Sequence, residues 1–304
     1  MDAIHVENLT VRYGKVTAVD DISFTVKKGE IFGIIGPNGA GKTSTLECLE
    51  GLRTYKGGRI EVLGEDARMR DKLYDKVGIQ LQETKFQDNI KVAELLGLYE
   101  TFYEKPVNTD ELLKNFDLFE QKNAFVKKLS GGERQKLAII LALVGNPDVL
   151  VLDEISTGLD PHARVQIWRK IKALNEAGKT ILLTTHFMEE AQHLCDRVCL
   201  LVDGKIKASG TLEEVVALAD LQIKITAYAP EAELKKLENV STPTDINMQQ
   251  FADHVCLTFT ERLQIGKAMA WLSQHIQVQD MELYKPSLED VFLKLTGAKL
   301  EGEQ

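Results

Sequence analysis

The first part of the chain alternates between hydrophobic and polar positions, which predicts strands. Alternating sets occupy residues 4–13 and 22–26, with Gly14 and Gly29 as breaks after them. Alternation with a period of two is typical of strands with one buried face, so we expect antiparallel strands here. A continuous apolar run follows at Ile31–Ile35, and this favours a strand buried on both faces.

From about residue 87 to residue 147 the apolar positions recur every three or four residues, which predicts helices. The repeats fall at 92–103, 112–119 and 132–144, and Gly145-Asn146-Pro147 ends the last of them. We therefore expect a helical insert at about residues 85–148. Beyond it, predicted strands at 149–152, 180–184 and 197–202 alternate with helices at 161–177 and 188–195. Such alternation predicts a layered parallel sheet.

The pattern changes again after about residue 218. Half-exposed strands are predicted at 222–228, 254–260 and 278–284, and Ser287 with Asp290 resembles a capping box for a last helix through Leu295. We expect residues 1–218 to form one domain and residues 219–304 to form a small accessory α+β domain.

One glycine-rich segment indicates what the first domain binds. It fits the phosphate-loop pattern G-x-x-x-x-G-K-[ST] between the predicted strand at 31–35 and a predicted helix at 44–52. Its residues are Gly36, Pro37, Asn38, Gly39, Ala40, Gly41, Lys42 and Thr43, with Ser44 opening the helix. The backbone N–H groups and the helix start would hold phosphates, Lys42 would reach the β- and γ-phosphates, and the Thr43 hydroxyl would reach Mg²⁺. The alternative, a glycine turn that matches by chance, is weakened by the strand–helix context. The predicted fold class is α/β, a P-loop NTPase core with an antiparallel β subdomain and the helical insert.

Two carboxylates follow the apolar strand at 149–152. Asp153, at the strand tip, could hold Mg²⁺ through water, and Glu154 could polarise an attacking water. The alternative is a strand that ends in two solvated acids, and the phosphate loop upstream favours the catalytic interpretation.

A second anion-binding segment is Leu129-Ser130-Gly131-Gly132-Glu133-Arg134-Gln135, ahead of a long helix. Alone, Ser-Gly-Gly is usually a helix cap. One triphosphate rarely needs two such sites in one chain, and a two-fold dimer would explain both, because each loop could close over the nucleotide of the other subunit.

Taken together, these motifs resemble the nucleotide-binding subunit of an ABC transporter, over residues 4–214. The resemblance implies ATP as the nucleotide and identifies residues 129–135, with Ser130, Gly131, Gly132 and Glu133, as the family signature. It implies that Tyr13 stacks on adenine, the alternative being a strand-edge tyrosine. Gln82 would contact Mg²⁺ and sense the membrane partner, with Gln80 as the alternative assignment.

The resemblance also implies roles for residues after the Asp-Glu pair. Asp160 would contact the other subunit, and His186 would contact the γ-phosphate. The family usually has proline after the catalytic glutamate, where this chain has Ile155; isoleucine relaxes the backbone there, and we expect turnover to survive.

The same resemblance implies the partners. We expect a homodimer around two ATP molecules that drives a separate integral membrane permease, on the cytoplasmic face of the membrane. Residues 284–292 resemble the tail of type-2 exporter ATPases, which serve drug, antibiotic and polysaccharide efflux; a packing role for this tail stays open. Residues 86–103 would form the groove for a permease helix, the alternative being ordinary helix packing.

Composition and charge argue against several other kinds of partner and site. The net charge of −9 argues against a nucleic-acid partner, which usually requires a basic face. The N-terminus does not have the charged start and following apolar run of a signal peptide. No apolar run approaches the ~20 residues that a membrane span needs. The cysteines lack a CxxC pair, so a zinc site from His193, Cys195 and Cys199 is disfavoured, and this cysteine usage suits a reducing cytosol. Two further alternatives are a non-transport ABC ATPase acting on ribosomes, DNA or an assembly scaffold, and an ATP-binding regulator without turnover.

Overall fold

The computed structural model describes residues 1–81, 89–218, 221–238 and 240–297. Their contacts divide the chain into two compact units, the first comprising Met1–Leu212 and the second beginning at Glu213. This division lies slightly earlier in the chain than the boundary after residue 218 that the sequence pattern predicts. Each unit has a hydrophobic core of its own.

An antiparallel sheet forms the first layer of the first unit. It contains β1 (Asp2–Tyr13), β2 (Val16–Lys27), β4 (Gly57–Val62) and β5 (Glu65–Asp66), in the order β2-β1-β4-β5. The alternating positions of β1 are those that are buried, including Ile4, Val6, Leu9 and Val11. This confirms the antiparallel strands predicted at the start of the chain.

A six-stranded sheet forms the second layer. It contains β3 (Ile31–Ile35), β6 (Val77–Gln80), β7 (Val149–Asp153), β8 (Thr180–Thr185), β9 (Arg197–Val202) and β10 (Lys205–Thr211), in the order β10-β9-β3-β8-β7-β6. Neighbours are parallel except for β10, which pairs antiparallel with β9. Every residue of β3, β7 and β8 is buried, which explains their continuous apolar sequences. The predicted parallel sheet is confirmed, and β10 is an addition to it.

Seven α-helices accompany these sheets in the described part of the first unit. They are α1 (Lys42–Leu49), α2 (Arg70–Leu73), α3 (Val92–Glu100), α4 (Thr109–Asn115), α5 (Gly131–Leu143), α6 (Pro161–Glu176) and α7 (Met188–Leu194). Helices α3 to α5 lie within the predicted insert, and residues 136–143 of α5 are all buried. Helix α1 was predicted at 44–52, but it starts two residues earlier and ends at Leu49, and Gly51 in the left-handed region at φ 64° follows its end.

The second unit is an α+β structure. It contains α8 (Leu212–Leu218), β11 (Ile223–Tyr228), α9 (Glu231–Leu234), β12 (Asn247–Gln250), β13 (His254–Phe259), α10 (Gln264–His275), β14 (Asp280–Tyr284) and α11 (Leu288–Thr296). Its sheet is antiparallel in the order β12-β13-β11-β14, and its core includes Ile225, Leu257 and Leu272. The predicted capping box is present, because Ser287 Oγ accepts from the amide of Asp290 at 3.3 Å and Asp290 Oδ2 accepts from the amide of Ser287 at 2.8 Å. Strand β12 was not predicted.

Candidate nucleotide site

Three of the segments predicted to bind and hydrolyse a nucleotide lie at one edge of the parallel sheet. Strands β3, β7 and β8 run side by side, with Ile35 opposite Thr185 and Asp153 opposite Thr184. The segments that follow these three strands therefore start close together. They carry the phosphate loop, the Asp153–Glu154 pair and His186.

Close backbone approaches shape the phosphate loop. A Cβ on Gly36 would lie 2.1 Å from the carbonyl oxygen of Leu201, and one on Gly41 would lie 2.4 Å from that of Ala18. Gly41 also has φ 103° where it caps α1, a conformation that favours glycine. The loop and the start of α1 border a cavity of about 310 Å³. Its lining includes Asn38, Gly39, Gly41, Lys42, Thr43 and Ser44, together with Ala18 and Glu154.

The Lys42 ammonium group lies inside this loop and is only 4% exposed. Its Nζ donates to the carbonyl oxygen of Gly36 at 2.9 Å and to that of Pro37 at 3.2 Å. It also lies 3.3 Å from Oε1 of Glu154. A buried positive charge therefore faces the cavity, where it can attract phosphate.

The Glu154 carboxylate lies between two basic side chains. Its Oε1 is 3.4 Å from Nδ1 of His186 as well as 3.3 Å from the Lys42 ammonium, and its Oε2 accepts from the Thr157 hydroxyl at 3.2 Å. The interaction with His186 and the positive charge of Lys42 lower the pKa of Glu154 to about 2, although burial opposes them. Glu154 is therefore ionised at neutral pH and can accept a proton or a hydrogen bond from water. Its φ of 49° lies in the left-handed region. Proline at 155 would disfavour that conformation for the preceding residue, whereas the buried Ile155 is compatible with it.

Asp153 and Thr43 offer the oxygen ligands of a hard cation. The Thr43 hydroxyl donates to Oδ2 of Asp153 at 3.3 Å, and the Thr184 hydroxyl donates to Oδ1. Burial raises the pKa of Asp153, and the hydrogen bond from Thr184 counteracts this. Hydroxyl and carboxylate oxygens beside the cavity of the phosphate loop suit Mg²⁺. No motif in the sequence indicates that Thr184 holds Asp153.

Two glutamines are candidates for the contact with Mg²⁺ that the resemblance implies. Gln82, the third residue predicted to contact Mg²⁺, lies outside the described residues. Gln80, its alternative, is the last residue of β6 and is buried, with Nε2 donating to the carbonyl oxygen of Leu81.

Tyr13 lies beside the phosphate loop, at the end of β1. Its hydroxyl is 2.9 Å from Oγ of Ser44, and the guanidinium group of Arg53 lies 4.5 Å from its ring centroid. The ring remains 41% exposed. Its stacking on adenine stays a prediction, and Arg53 is a neighbour that the sequence did not indicate.

The signature segment forms an exposed helix start outside the cavity. Ser130 Oγ accepts from the amide of Glu133 at 3.3 Å, and Glu133 Oε2 accepts from the amide of Ser130 at 2.8 Å, so the two form a capping box for α5. The described residues that line the phosphate-loop cavity do not include Ser130, Gly131, Gly132 or Glu133. Any contact of this segment with nucleotide therefore requires another molecule or a rearrangement.

Asp160 is exposed and caps α6, with Oδ1 accepting from the amide of Ala163 at 2.9 Å. This hydrogen bond lowers the pKa of Asp160. Its contact with a second subunit stays a prediction.

The side chains of His193, Cys195 and Cys199, the alternative zinc ligands, pack against other residues of the fold. Cys195 and Cys199 are buried, and the ring of His193 lies 5.0 Å from that of Trp168. Burial raises the pKa of Cys199 to about 12, which disfavours the thiolate. Within the described ranges, no group of three or more His, Cys, Asp or Glu residues is arranged to hold a metal.

In the same ranges, no helix combines the length and apolar character that crossing a bilayer requires.

Known proteins resemble the chain throughout the region that carries these residues. The family model described as ABC transporter matches residues 19–157, and a model for an AAA domain matches residues 126–189. A protein named Nod factor export ATP-binding protein I, from Ralstonia nicotianae, is 36% identical, over 98% of this chain and 94% of its own.

Solved structures agree with the sequence relatives. A structure titled as the ATP-binding subunit of an ABC transporter is 28% identical with a TM-score of 0.66, over 72% of this chain and 94% of its own. A bacterial ABC transporter cassette solved as a dimer is 26% identical with a TM-score of 0.62, over 69% of this chain and 98% of its own.

Proposed function

The chain belongs to the family of ABC transporter ATP-binding subunits, which bind and hydrolyse ATP, and we propose that it works as a homodimer driving a separate membrane permease in the export direction. One observation carries the proposal. The phosphate loop, the Asp153–Glu154 pair and His186 converge at one sheet edge, whereas the signature segment forms an exposed helix start elsewhere. In the proposed homodimer each nucleotide site would combine the phosphate loop of one subunit with the signature segment of the other.

The phosphate loop and Lys42 would bind the phosphates of ATP. The backbone amides at the start of α1 and the Lys42 ammonium group all supply positive potential to the same cavity. In this arrangement Lys42 exchanges its contacts with Gly36, Pro37 and Glu154 for phosphate oxygens. Ser44 and Asn38 line the same cavity, and Tyr13 lies beside Ser44, where it would reach the base.

Glu154 and His186 would position the attacking water. Glu154 is ionised, because its pKa is about 2, and it faces the cavity. His186, directly after β8, has its Nδ1 3.4 Å from Oε1 of Glu154 and would hold the γ-phosphate in line with that water. Phosphoryl transfer needs little covalent chemistry from the protein, so positioning and charge stabilisation supply most of the catalysis.

Thr43 and Asp153 would hold Mg²⁺, with Gln82 as the third residue by resemblance. The metal would supply neutralisation of charge on the phosphate oxygens. Hydrogen bonds from the hydroxyl groups of Thr43 and Thr184 orient the Asp153 carboxylate.

The second half of each site would come from the other subunit. We propose that Ser130, Gly132 and Asp160 contribute to it. Ser130 and Gly132 lie at the start of α5, Asp160 caps α6, and Ser130 and Asp160 are exposed. A related cassette has been solved as a dimer, which supports a dimeric arrangement here. ATP binding would close the dimer and hydrolysis would open it.

An apolar groove in the first unit supports a helical membrane partner. The groove has a volume of about 250 Å³, and its walls include Leu49, Leu52, Leu73 and Tyr74. Glu50 also lines it, and both of its carboxylate oxygens are buried without a hydrogen-bond partner in the described structure. A permease helix with an apolar face and one basic side chain would satisfy both features. Of the predicted groove at 86–103, residues 86–88 lie outside the described residues. Relatives named for export support the direction, and a place on the cytoplasmic face of the membrane follows from this partner.

Co-purification from solubilised membranes would test the proposal. A tagged chain should bring down one integral membrane protein in stoichiometric amount, and Glu50→Lys should abolish this without reducing ATP affinity. Recovery of ribosomes or DNA in place of a membrane protein would contradict the proposal and support the non-transport alternative.

A further inference from the structure

A buried carboxyl group lies just behind the candidate nucleotide site. Glu190, in α7, has no measurable exposure to solvent. Its Oε1 accepts a hydrogen bond from the Ser156 hydroxyl and another from Nε1 of Trp168 at 2.9 Å. The same Trp168 Nε1 lies 3.1 Å from Oγ of Ser156, so the three side chains form a closed triangle.

The triangle joins three separate parts of the first unit. Ser156 belongs to the loop of residues 154–160, Trp168 lies in α6, and Glu190 lies in α7, which starts two residues after His186. A second link runs in parallel with it. The ring of Phe187 lies 4.1 Å from that of His186, and the guanidinium group of Arg164 lies 4.4 Å from the ring of Phe187.

The 154–160 loop carries groups proposed to act in hydrolysis. Ser156 lies two residues after Glu154, and the Thr157 hydroxyl donates to Glu154 Oε2 at 3.2 Å. Asp160 ends the loop as the cap of α6. The hydrogen bond from the Ser156 hydroxyl to Glu190 joins this loop to α7.

Packing alone does not account for an acid at this position. A fully buried carboxyl group loses its hydration, and burial raises the pKa of Glu190 although hydrogen bonds from Ser156, Thr185 and Trp168 oppose the shift. An aliphatic side chain would fill the space without that cost, but it could not accept hydrogen bonds from the loop and the indole. The bonds to Ser156 and Trp168 are what the carboxyl group adds.

We propose that Glu190 is a positioning residue for ATP hydrolysis, which fixes the 154–160 loop, and with it Glu154 and Asp160, relative to His186. The inference rests on the proposed function for the roles of those three residues. Glu190 itself does not line the phosphate-loop cavity among the described residues, so it acts through Ser156. Misplacement of a reacting group by about 1 Å can lower a rate by about 100-fold, which sets the scale of the expected effect.

Steady-state kinetics would separate this role from nucleotide binding. Glu190→Ala should lower kcat by about 10- to 100-fold and leave KM for ATP within about twofold of the wild type. Glu190→Gln, which keeps an acceptor oxygen, should restore kcat to within about threefold. Glu189→Ala, an exposed acid on the same helix, is the matched control and should leave kcat unchanged.

Trp168 offers a readout that a change in overall stability would not move. The chain has two tryptophans, so Trp271→Phe gives a background in which Trp168 is the single emitter. Trp168 is 3% exposed, and its quenching by acrylamide at a temperature below unfolding should rise by about twofold or more in Glu190→Ala. Trp271→Phe alone should keep the wild-type kcat.

Ser156→Ala tests the same bond from the loop side and keeps the proposal testable if Glu190→Ala does not fold. It should lower kcat by about tenfold, and adding Glu190→Ala to it, where that variant folds, should lower kcat little further, because both changes remove the same hydrogen bond. A kcat within twofold of the wild type in Ser156→Ala or in folded Glu190→Ala would overturn the proposal. A chain that hydrolyses ATP but binds no permease would overturn the proposed function and leave the role of Glu190 standing.

Discussion

Replacing Glu154 with glutamine should destabilise the protein in the absence of nucleotide, beyond its effect on catalysis. Lys42 is 4% exposed, and the Glu154 carboxylate is the acidic group in contact with its ammonium group in the described structure. Glutamine has nearly the same shape but no charge. The substitution therefore leaves a buried ammonium group with only the carbonyl oxygens of Gly36 and Pro37.

The lowered pKa of Glu154, which reflects first the interaction with His186 and then the positive charge of Lys42, gives the magnitude for the loss of the charge. A decrease from 4.5 to about 2 corresponds to roughly 3 kcal/mol at neutral pH. Because the folded-state pKa is below the unfolded one, this stability is present above pH 4.5 and is lost as the pH falls towards 2. The cavity is open to solvent, so we expect screening to leave about 2 kcal/mol, or a decrease in Tm of roughly 4–8 °C.

Glu50→Gln is a matched control of opposite sign. Burial raises the pKa of Glu50 to about 7, and the negative charges of Asp153 and Glu47 add to the effect. Its folded-state pKa is above the unfolded one, so ionised Glu50 destabilises the fold above about pH 7, and the penalty disappears as the pH falls to 4.5. Glu50→Gln should therefore raise Tm at pH 8 and leave it nearly unchanged at pH 5.

Calorimetry of the nucleotide-free proteins at pH 5 and pH 8 would measure both effects. Mg-ATP should then stabilise Glu154→Gln more than the wild type, because the phosphates replace the missing counter-charge at Lys42. Equal Tm values for Glu154→Gln and wild type without nucleotide, or shifts of the same sign in both glutamine variants at pH 8, would refute this reasoning.

Three further substitutions have distinct expected outcomes. Lys42→Ala removes the charge in the loop and should weaken ATP binding by about 10- to 100-fold in titration calorimetry; unchanged affinity would count against the phosphate loop. His186→Ala should lower kcat by about 100-fold or more in a phosphate-release assay while ATP affinity stays within a few-fold, and full activity would exclude its role at the γ-phosphate. Asp153→Asn should raise the Mg²⁺ concentration needed for half-maximal hydrolysis by tenfold or more, and an unchanged Mg²⁺ dependence would rule out Asp153 as a ligand.

The parts of the fold that follow local rules could be predicted from sequence. Strands β3, β7 and β8 are buried throughout and therefore appear as continuous apolar runs. Strands β10 and β12 were missed, since Lys205–Thr211 and Asn247–Gln250 are mostly polar and lie in sheets through pairing with neighbours. Their structure depends on tertiary pairing, which a single-sequence pattern does not contain.

The candidate site also contains some features that the sequence indicates and others that only the folded chain shows. The phosphate loop and the Asp153–Glu154 pair occupy fixed spacings, so the sequence indicates them directly. The contacts of Glu190 with Ser156 and of Thr184 with Asp153 join residues more than thirty positions apart, and only the folded chain brings them together. The sequence alone does not distinguish Glu190 from Glu189 beside it, because only the folded chain shows that Glu190 is buried and Glu189 is exposed.

The mass of Glu154→Gln in solution, with and without Mg-ATP, tests most directly whether two chains share their nucleotides. Light scattering should give a monomer of 34.0 kDa without nucleotide and a dimer of twice that mass with Mg-ATP, because binding is retained while hydrolysis is blocked. A protein that binds Mg-ATP with undiminished affinity but remains a monomer would contradict the shared site formed by the phosphate loop and the signature segment.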